Sequence, residues 1–197
     1  MAESTIYKVS QPCEPLRQGE ILTDLTQYIP NINGSSSKSI EVEEDLSFTI
    51  ISHSYSIIVT QDCDLDWDYK ARNGEEKPSK LLNSIILCEL DEASKVREIP
   101  DINRKIWELV ASNRHERYHF FQKVDSSLDL KEVGLPELTA DFKKVFGINA
   151  KVLYALINKG EVKRRTHLSS PYLEHFSKRY HSFHERVALP FPHESEK

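Results

Sequence analysis

The residues best suited to chemistry lie in three clusters of ionisable side chains. The first is a run of alternating aspartates, Asp62, Asp64, Asp66 and Asp68, which directly follows a stretch of apolar residues. Alternate residues of an extended strand face the same side, so this spacing predicts four carboxylates on one face. Asp62 and Asp64 lie nearest the apolar stretch and are the predicted catalytic pair, because partly buried carboxylates have raised pKa values and can act as general acids or bases.

The same aspartates raise the question of a metal. Two neighbouring carboxylates can hold a hard divalent cation, and a calcium-binding loop begins with this spacing. However, Trp67 stands where that loop requires glycine, and Asn73 stands where it requires glutamate. The sequence therefore predicts no calcium loop and no cofactor. A metal-dependent hydrolase built on the aspartates is a rival hypothesis, and an exposed acidic turn is the non-catalytic alternative.

The second cluster, between residues 113 and 123, interleaves basic, imidazole and aromatic side chains. Arg114 and Arg117 are of the type that holds a phosphate and stabilises a developing anion. His115, like His53 elsewhere in the chain, can exchange protons near neutral pH. His119 stands among aromatic residues of the kind that stack on unpaired bases. The cluster suits metal-free RNA cleavage, in which a 2′-hydroxyl attacks the adjacent phosphate. The alternative is a polar loop entering an edge strand.

The third cluster is basic although the chain as a whole has a net charge of −5. Between residues 159 and 186 there are seven Lys and Arg residues against three acids, and Lys163, Arg164 and Arg165 are consecutive. A local positive field can bind a polyanion whatever the net charge of the chain. These three residues are therefore predicted to follow the backbone of single-stranded RNA. Solvated surface charge is the alternative.

Composition and pattern indicate a single domain of 197 residues, with a lead-in at 1–17, a body at 18–168 and a C-terminal helix and tail at 169–197. No apolar run is long enough to span a bilayer, and the three cysteines have no CxxC spacing. These features predict a cytoplasmic protein with reduced thiols and no membrane partner.

Hydrophobic periodicity predicts the elements that must position the three clusters. Strands are expected at 19–28, 40–42, 47–60, 81–90 and 118–124, with a loop at 31–38. The segment 138–146 fits either a strand or a helix. Helices are expected at 101–111, capped by Asp101, at 150–158, and at 171–187, capped by Ser170.

The order of these elements resembles the PemK/MazF family of small-barrel toxins. Gly19-Glu20-Ile21 matches the start of the family's first strand, 56–60 matches a buried strand that ends in a hydroxyl residue, and 84–90 matches a further buried strand. The resemblance implies an α+β fold, a small, strongly bent β-barrel with helical insertions and a C-terminal helix. It also implies an mRNA-cleaving toxin without a metal cofactor, generally a homodimer, and it assigns Thr60 to RNA binding.

One departure from the family pattern keeps two functions open. The family carries a catalytic arginine just before its buried strand, where this chain has Ser54 with His53 adjacent. In one interpretation the catalytic set has moved to Arg114 and Arg117, with His53 or His115 exchanging protons, and the chain is an endoribonuclease of toxin or antiviral-effector type. In the other it is a non-catalytic regulatory module that sequesters an inhibitory or regulatory protein partner in a prokaryotic defence system.

Overall fold

The computed structural model describes residues 5–31 and 47–186, which form a mixed α+β fold. The strands are β1 (Tyr7–Val9), β2 (Glu20–Pro30), β3 (Phe48–Ile58), β4 (Ser84–Glu92), β5 (Tyr118–Phe121), β6 (Leu138–Asn149) and β7 (Lys163–Leu168). The helices are α1 (Asp62–Arg72), α2 (Ala93–Arg97), α3 (Arg104–Ala111), α4 (Ala150–Asn158) and α5 (Tyr172–His184). All neighbouring strands pair antiparallel, in the order β1-β7-β2-β3-β4-β6-β5.

The central part of the sheet is buried on both faces, which explains its unbroken apolar runs. Ile57 belongs to the core cluster that contains Phe176 of α5, whereas Ile58 belongs to the cluster that contains Leu65 of α1 and Leu153 of α4. Successive residues of a strand point to opposite faces, so each face receives its own apolar set. The apolar run 57–59 is therefore buried on both faces of the sheet.

The α+β class is confirmed, but the sheet is not closed as a barrel. Its edge strands β1 and β5 form no ladder with each other in the described part of the chain. Side chains occupy the outer edge of β5 instead. The Asn113 side chain accepts from the Phe120 N–H (2.7 Å) and donates to its carbonyl (3.0 Å), and the Tyr7 hydroxyl donates to the Gln122 carbonyl (2.7 Å). These contacts satisfy the backbone groups that a closing strand would need.

Several predicted boundaries change. The lead-in contains β1, which pairs with β7, and the ambiguous segment at 138–146 belongs to the strand β6. The strand expected at 40–42 and all but the first residue of the loop expected at 31–38 lie outside the described residues. Within the described ranges, no helix is both long and apolar enough to cross a membrane.

The aspartate run was wrongly predicted to be a strand, because residues 62–72 form the helix α1. Asp62 and Asp64 occupy its first turn, where carboxylates interact favourably with the helix dipole. Further along, Asp66 pairs with Lys70 and Asp68 pairs with Arg72, each four residues away. Ion pairs four residues apart stabilise a helix. The helical conformation also distributes the four carboxylates around the helix, whereas a strand would place them on one face.

Two predicted helix caps are also corrected. The α3 cap is Asn103, not Asp101, since the Asn103 side chain accepts from the Ile106 N–H at 3.1 Å. Ser170 does not cap α5, which starts after Pro171 without a side-chain cap. The apolar stripe on α5 is present: Phe176 and Phe183 are buried, while Leu173 and Tyr180 are half-buried against the same core. Val187, the last predicted member, lies outside the described residues.

Gly19 lies where the start of β2 approaches α5. It has a φ of 75°, in the left-handed region that favours glycine, and its N–H donates to the Ile58 carbonyl at 2.8 Å. A Cβ atom at this position would lie 2.9 Å from Cδ1 of Leu173, so there is no room for a side chain between β2 and α5.

We predict that Phe176→Ala lowers the free energy of unfolding by about 3–5 kcal/mol, because Phe176 is fully buried and its loss leaves a cavity in the core. Chemical denaturation measures the change. Tyr172→Ala, on the same helix but exposed, is the control and should have a much smaller effect. Equal stability of Phe176→Ala and the wild type would show that α5 does not hold the core together.

Candidate functional site

Arg164, predicted to contact RNA, is instead buried on β7. Its guanidinium donates to both carboxylate oxygens of Glu20, at 2.6 and 3.0 Å, and to the carbonyls of Glu14 and Pro15. The Glu20 side chain is fully inaccessible. With its donors used inside the protein, Arg164 is not available to a phosphate backbone, so this prediction is corrected.

Arg165 is buried in the same way. It donates to both carboxylate oxygens of Asp129, at 2.7 and 2.6 Å, and to the Gly134 carbonyl. Burial by itself would raise the pKa of Asp129, but hydrogen bonds from Arg165 and from backbone N–H groups hold it below its ordinary value. Of the predicted basic triplet only Lys163 is exposed, and it pairs with Asp24 at 2.8 Å. The triplet therefore does not form an RNA-tracking surface.

The aspartates rank differently from the prediction. Asp62 is partly exposed and accepts from the Arg17 guanidinium (2.9 and 3.1 Å) and the Gln18 N–H (2.7 Å). Asp64 is half-buried and makes no side-chain hydrogen bond within the described residues. The fully buried member is Asp68, which binds Arg72 and the Leu82 N–H, and so ties α1 to the segment before β4. Asp68, not Asp62, is the structural carboxylate of the run.

His53 lies on β3, away from the other predicted catalytic residues. Its ring stacks on Phe146 with centroids 4.0 Å apart, and Nε2 lies 3.3 Å from the Gln27 side-chain oxygen. Burial lowers the pKa of His53, and Glu89, whose carboxylate is 3.6 Å from Nδ1, partly opposes that shift. Among the described residues, the partners of His53 are not those of Asp62 or Arg114.

In the second predicted cluster, one arginine is held in an ion pair and the other is exposed to solvent. Arg117 donates to both oxygens of Asp141, at 2.7 and 2.5 Å, and this hydrogen bonding raises the pKa of Arg117. Arg114 is exposed, and its side chain has no partner in the described part of the chain. The His115 ring accepts from the Arg117 N–H at 3.2 Å. Burial lowers the pKa of His115, and neighbouring arginines lower it further.

Thr60 forms a hydrogen bond to the backbone of β4. Its hydroxyl accepts from the Ile86 N–H at 2.8 Å, next to the end of β3. This bond holds the connection between β3 and α1 against β4. Thr60 therefore has a structural contact at the place where the family resemblance predicted an RNA contact.

Arg179, which the sequence analysis did not single out, binds the backbone of the second predicted cluster and one of its histidines. From α5 it donates to the carbonyls of Asn113, His115 (2.6 Å) and Tyr118 (2.7 Å), and its Nε donates to Nδ1 of His119 at 3.2 Å. Burial lowers the pKa of Arg179. Unlike Arg117, Arg164 and Arg165, Arg179 donates its hydrogen bonds to backbone carbonyls and to the His119 ring, and not to a carboxylate among the described residues.

Two histidines meet beside this arginine. The ring centroids of His119, on β5, and His175, on α5, lie 5.6 Å apart. Burial, followed by the charges of Arg179 and His175, lowers the pKa of His119 well below its ordinary value, so this ring is neutral near pH 7. Because Arg179 donates to Nδ1, the proton of His119 is on Nε2. Burial and two nearby cations, Arg179 and Lys178, also lower the pKa of His175.

The histidine pair lies where two clefts adjoin. The first, of about 200 Å³, lies between the edges of β1 and β5 and is lined by residues including Tyr7, Asn113, His119, Tyr172 and His175. The second, of about 360 Å³, runs along α5 and is lined by His175, Lys178, Arg179, Ser182, Phe183, Arg186 and Glu116. His175 lines both. The combined cleft therefore has an aromatic and amide half and a cationic half.

This arrangement suits proton transfer and anion binding. Within residues 5–31 and 47–186, no group of three or more His, Cys, Asp or Glu side chains is positioned to hold a metal ion.

His175 and Arg179 were missed because they belong to the helix with the apolar stripe, which was interpreted only through its apolar face. Their spacing of four residues, which places them on one side of a helix, was the available signal.

We predict that Asp68→Ala lowers the free energy of unfolding by about 3 kcal/mol, because it leaves the Arg72 charge without its buried partner. Asp62→Ala should cost only about 1 kcal/mol, since its pair with Arg17 is solvent-exposed. Urea denaturation of both variants, with Asp64→Ala as the control, tests this order. Equal effects of Asp68→Ala and Asp62→Ala would contradict it.

We also predict that the protein loses stability as the pH falls below about 6.5, the ordinary pKa of histidine. The pKa of His119 is lower in the folded state than in the unfolded state, so between these two values the unfolded chain binds more protons and acid favours unfolding. His119→Phe removes this contribution and should flatten the dependence by up to about 1.4 kcal/mol per pH unit. Thermal unfolding of both proteins between pH 7.5 and 5 measures it, and parallel curves would refute it.

Comparisons with models of protein families, with curated proteins and with solved structures give no significant match to this chain. The geometry of the cleft, together with the sequence, is therefore what bears on its function.

Proposed function

We propose that the chain is a metal-independent endoribonuclease, of toxin or antiviral-effector type, that acts on single-stranded RNA in the cleft between β5 and α5. The observation that carries this proposal is the pair His119 and His175, with ring centroids 5.6 Å apart where the aromatic and cationic halves of the cleft adjoin. Cleavage through the 2′-hydroxyl is assisted by a base that removes the hydroxyl proton and by a donor to the phosphate oxygens.

The environments of the two rings support different roles. His175 is the more accessible ring and has a lowered pKa, so it is neutral near pH 7 and suited to remove the proton of the attacking 2′-hydroxyl. His119 is fixed by Arg179 with its proton on Nε2, and a neutral N–H donor can stabilise charge that develops on a phosphate oxygen. Attack of the 2′-oxygen on phosphorus forms a cyclic phosphate and breaks the bond from phosphorus to the 5′-oxygen, which takes a proton from water. The hydroxide left behind removes the proton from His175 and restores its neutral ring.

Cations on the cleft wall support binding of the substrate phosphates. Lys178 and Arg186 line the cationic half, and Arg114 is exposed on the adjoining loop. Arg186 pairs with Glu116 at 2.5 Å, whereas the side chains of Lys178 and Arg114 have no partner among the described residues. Tyr172, exposed beside the other half, offers a ring on which an unpaired base can stack.

A second candidate, a non-catalytic module that sequesters a regulatory protein in a defence system, is favoured by a different observation. Arg117, Arg164 and Arg165 are all held by carboxylates, which removes three cations from the predicted RNA surface. Both candidates keep the kinship with PemK/MazF-like barrels and a cytoplasmic location as hypotheses.

We expect wild-type protein to cleave labelled single-stranded RNA equally well with and without a chelator, and to bind it more weakly as salt rises, because phosphate contacts release counterions. His175→Gln should lower the cleavage rate at least about 100-fold, the usual contribution of a general base, while leaving RNA affinity almost unchanged. Gel analysis of products and a salt titration of binding measure the two effects.

Lys178→Ala should weaken binding and flatten the salt dependence, whereas Lys163→Ala is the matched control, since Lys163 already pairs with Asp24. Cleavage that stops on chelation would favour a metal-dependent hydrolase. Intact RNA and no salt-sensitive binding under any condition would reject the nuclease and favour the protein-binding module.

A further inference from the structure

The β2–β3 hairpin extends beyond the rest of the sheet. β7 pairs with β2 only at residues 20–23, and β4 pairs with β3 only at residues 55–58. Beyond these points the ladder joins residues 26–30 to 48–52, and no third strand pairs with it among the described residues. We call this part of the hairpin the arm. A two-stranded ribbon is marginally stable in water, and a third strand or a packed face stabilises it.

The β3 edge of the arm has the backbone groups to accept another strand. The Asn31 N–H donates to the Ser47 carbonyl, and hydrogen-bonded pairs recur at every second residue of an antiparallel ladder. Phe48, Ile50 and Ser52 are the alternate residues, so their N–H and C=O groups point away from β2. Proline and lysine are common protections of such edges, and neither occurs at residues 48–52.

Other edges of this sheet are treated differently. The outer edge of β5 is occupied by the side chain of Asn113 and by Arg179, and the β2 edge of the arm contains Pro30, which has no N–H to donate. Within the described residues, the β3 edge of the arm has neither a covering side chain nor a proline.

One face of the arm exposes large apolar side chains. Tyr28 lies opposite Ile50, and Phe48 precedes Ile50 by two residues on β3, so the three side chains share one face of the ribbon. Their exposures are 59%, 62% and 51%. Residues 26–30 and 48–52 contain no Asp, Glu, Lys, Arg or His, although the chain carries a net charge of −5. This surface can therefore meet a copy of itself without bringing like charges together.

We propose that the arm pairs with the arm of a second copy of this chain, β3 to β3 and antiparallel about a two-fold axis. Ile50 then lies opposite Ile50 of the second copy, and Phe48 lies opposite its Ser52. The two ribbons form one four-stranded sheet, in which the outward N–H and C=O groups are satisfied and the apolar faces are continuous. A two-fold contact requires a self-complementary surface, and an uncharged, alternating strand meets that requirement.

Sedimentation velocity over a range of concentrations tests this assembly. We expect a species of twice the 22.8 kDa chain mass, which dissociates on dilution. Ile50→Lys places two like charges at the axis and should give a monomer at every concentration. Val133→Lys, which changes an equally apolar and exposed residue away from the arm, should leave the dimer intact. A monomeric wild type, or a dimer that persists in Ile50→Lys, would overturn the proposal.

Cross-linking tests the register without destabilising the arm. In a background with the exposed cysteines replaced, Cys13→Ser and Cys63→Ser, oxidation of Ile50→Cys should link two chains on a non-reducing gel. Val133→Cys in the same background should stay monomeric on the gel. Failure of Ile50→Cys to cross-link beyond the level of Val133→Cys would rule out the two-fold pairing, whatever oligomer the sedimentation detects.

Discussion

The buried ion pairs of β7 are the constraint on which the rest of the structure depends. Arg164 binds Glu20 and two carbonyls of the N-terminal segment, while Arg165, at a bulge in the β2–β7 ladder, binds Asp129. β7 lies between β1 and β2, so these ion pairs hold the N-terminal segment, β2 and the turn after β5 against β7. Removing one partner of a buried pair costs about 3–5 kcal/mol, because the other charge remains buried. Separation of these strands therefore breaks an ion pair as well as backbone hydrogen bonds.

The arginines of this protein differ in what balances their charge. Arginines held by carboxylates on both sides of the sheet are electrically neutralised, and so they contribute little to a field that attracts phosphate. Arg179 differs, since carbonyls and the His119 ring receive its hydrogen bonds and leave its charge uncompensated. Its positive charge lies next to the two histidines. The same side chain binds the edge of β5 and fixes the proton of the neutral His119 ring on Nε2.

The cleft and the arm belong to different parts of the sheet. The cleft lies between the sheet edges, at β1, β5 and α5, whereas the arm extends from the central strands β2 and β3. Pairing of two arms would leave the clefts open, so the proposed RNA binding and the proposed self-association are separable. Neither proposal depends on closing the sheet into a barrel.

Local pattern was enough to predict the strands around Ile57 and the helix Ala150–Asn158, because apolar periodicity is decided by which face of an element is buried. The helix at Asp62–Arg72 was missed, since alternating aspartates suggested a strand while the pairs four residues apart, which stabilise the helix, went unused. The sequence supplied the cations but not their partners. Whether an arginine faces solvent or a carboxylate depends on residues far away in the chain, as Arg164 and Glu20 are 144 positions apart. Only the tertiary structure therefore decided that Arg164 and Arg165 are buried and that His119, His175 and Arg179 meet.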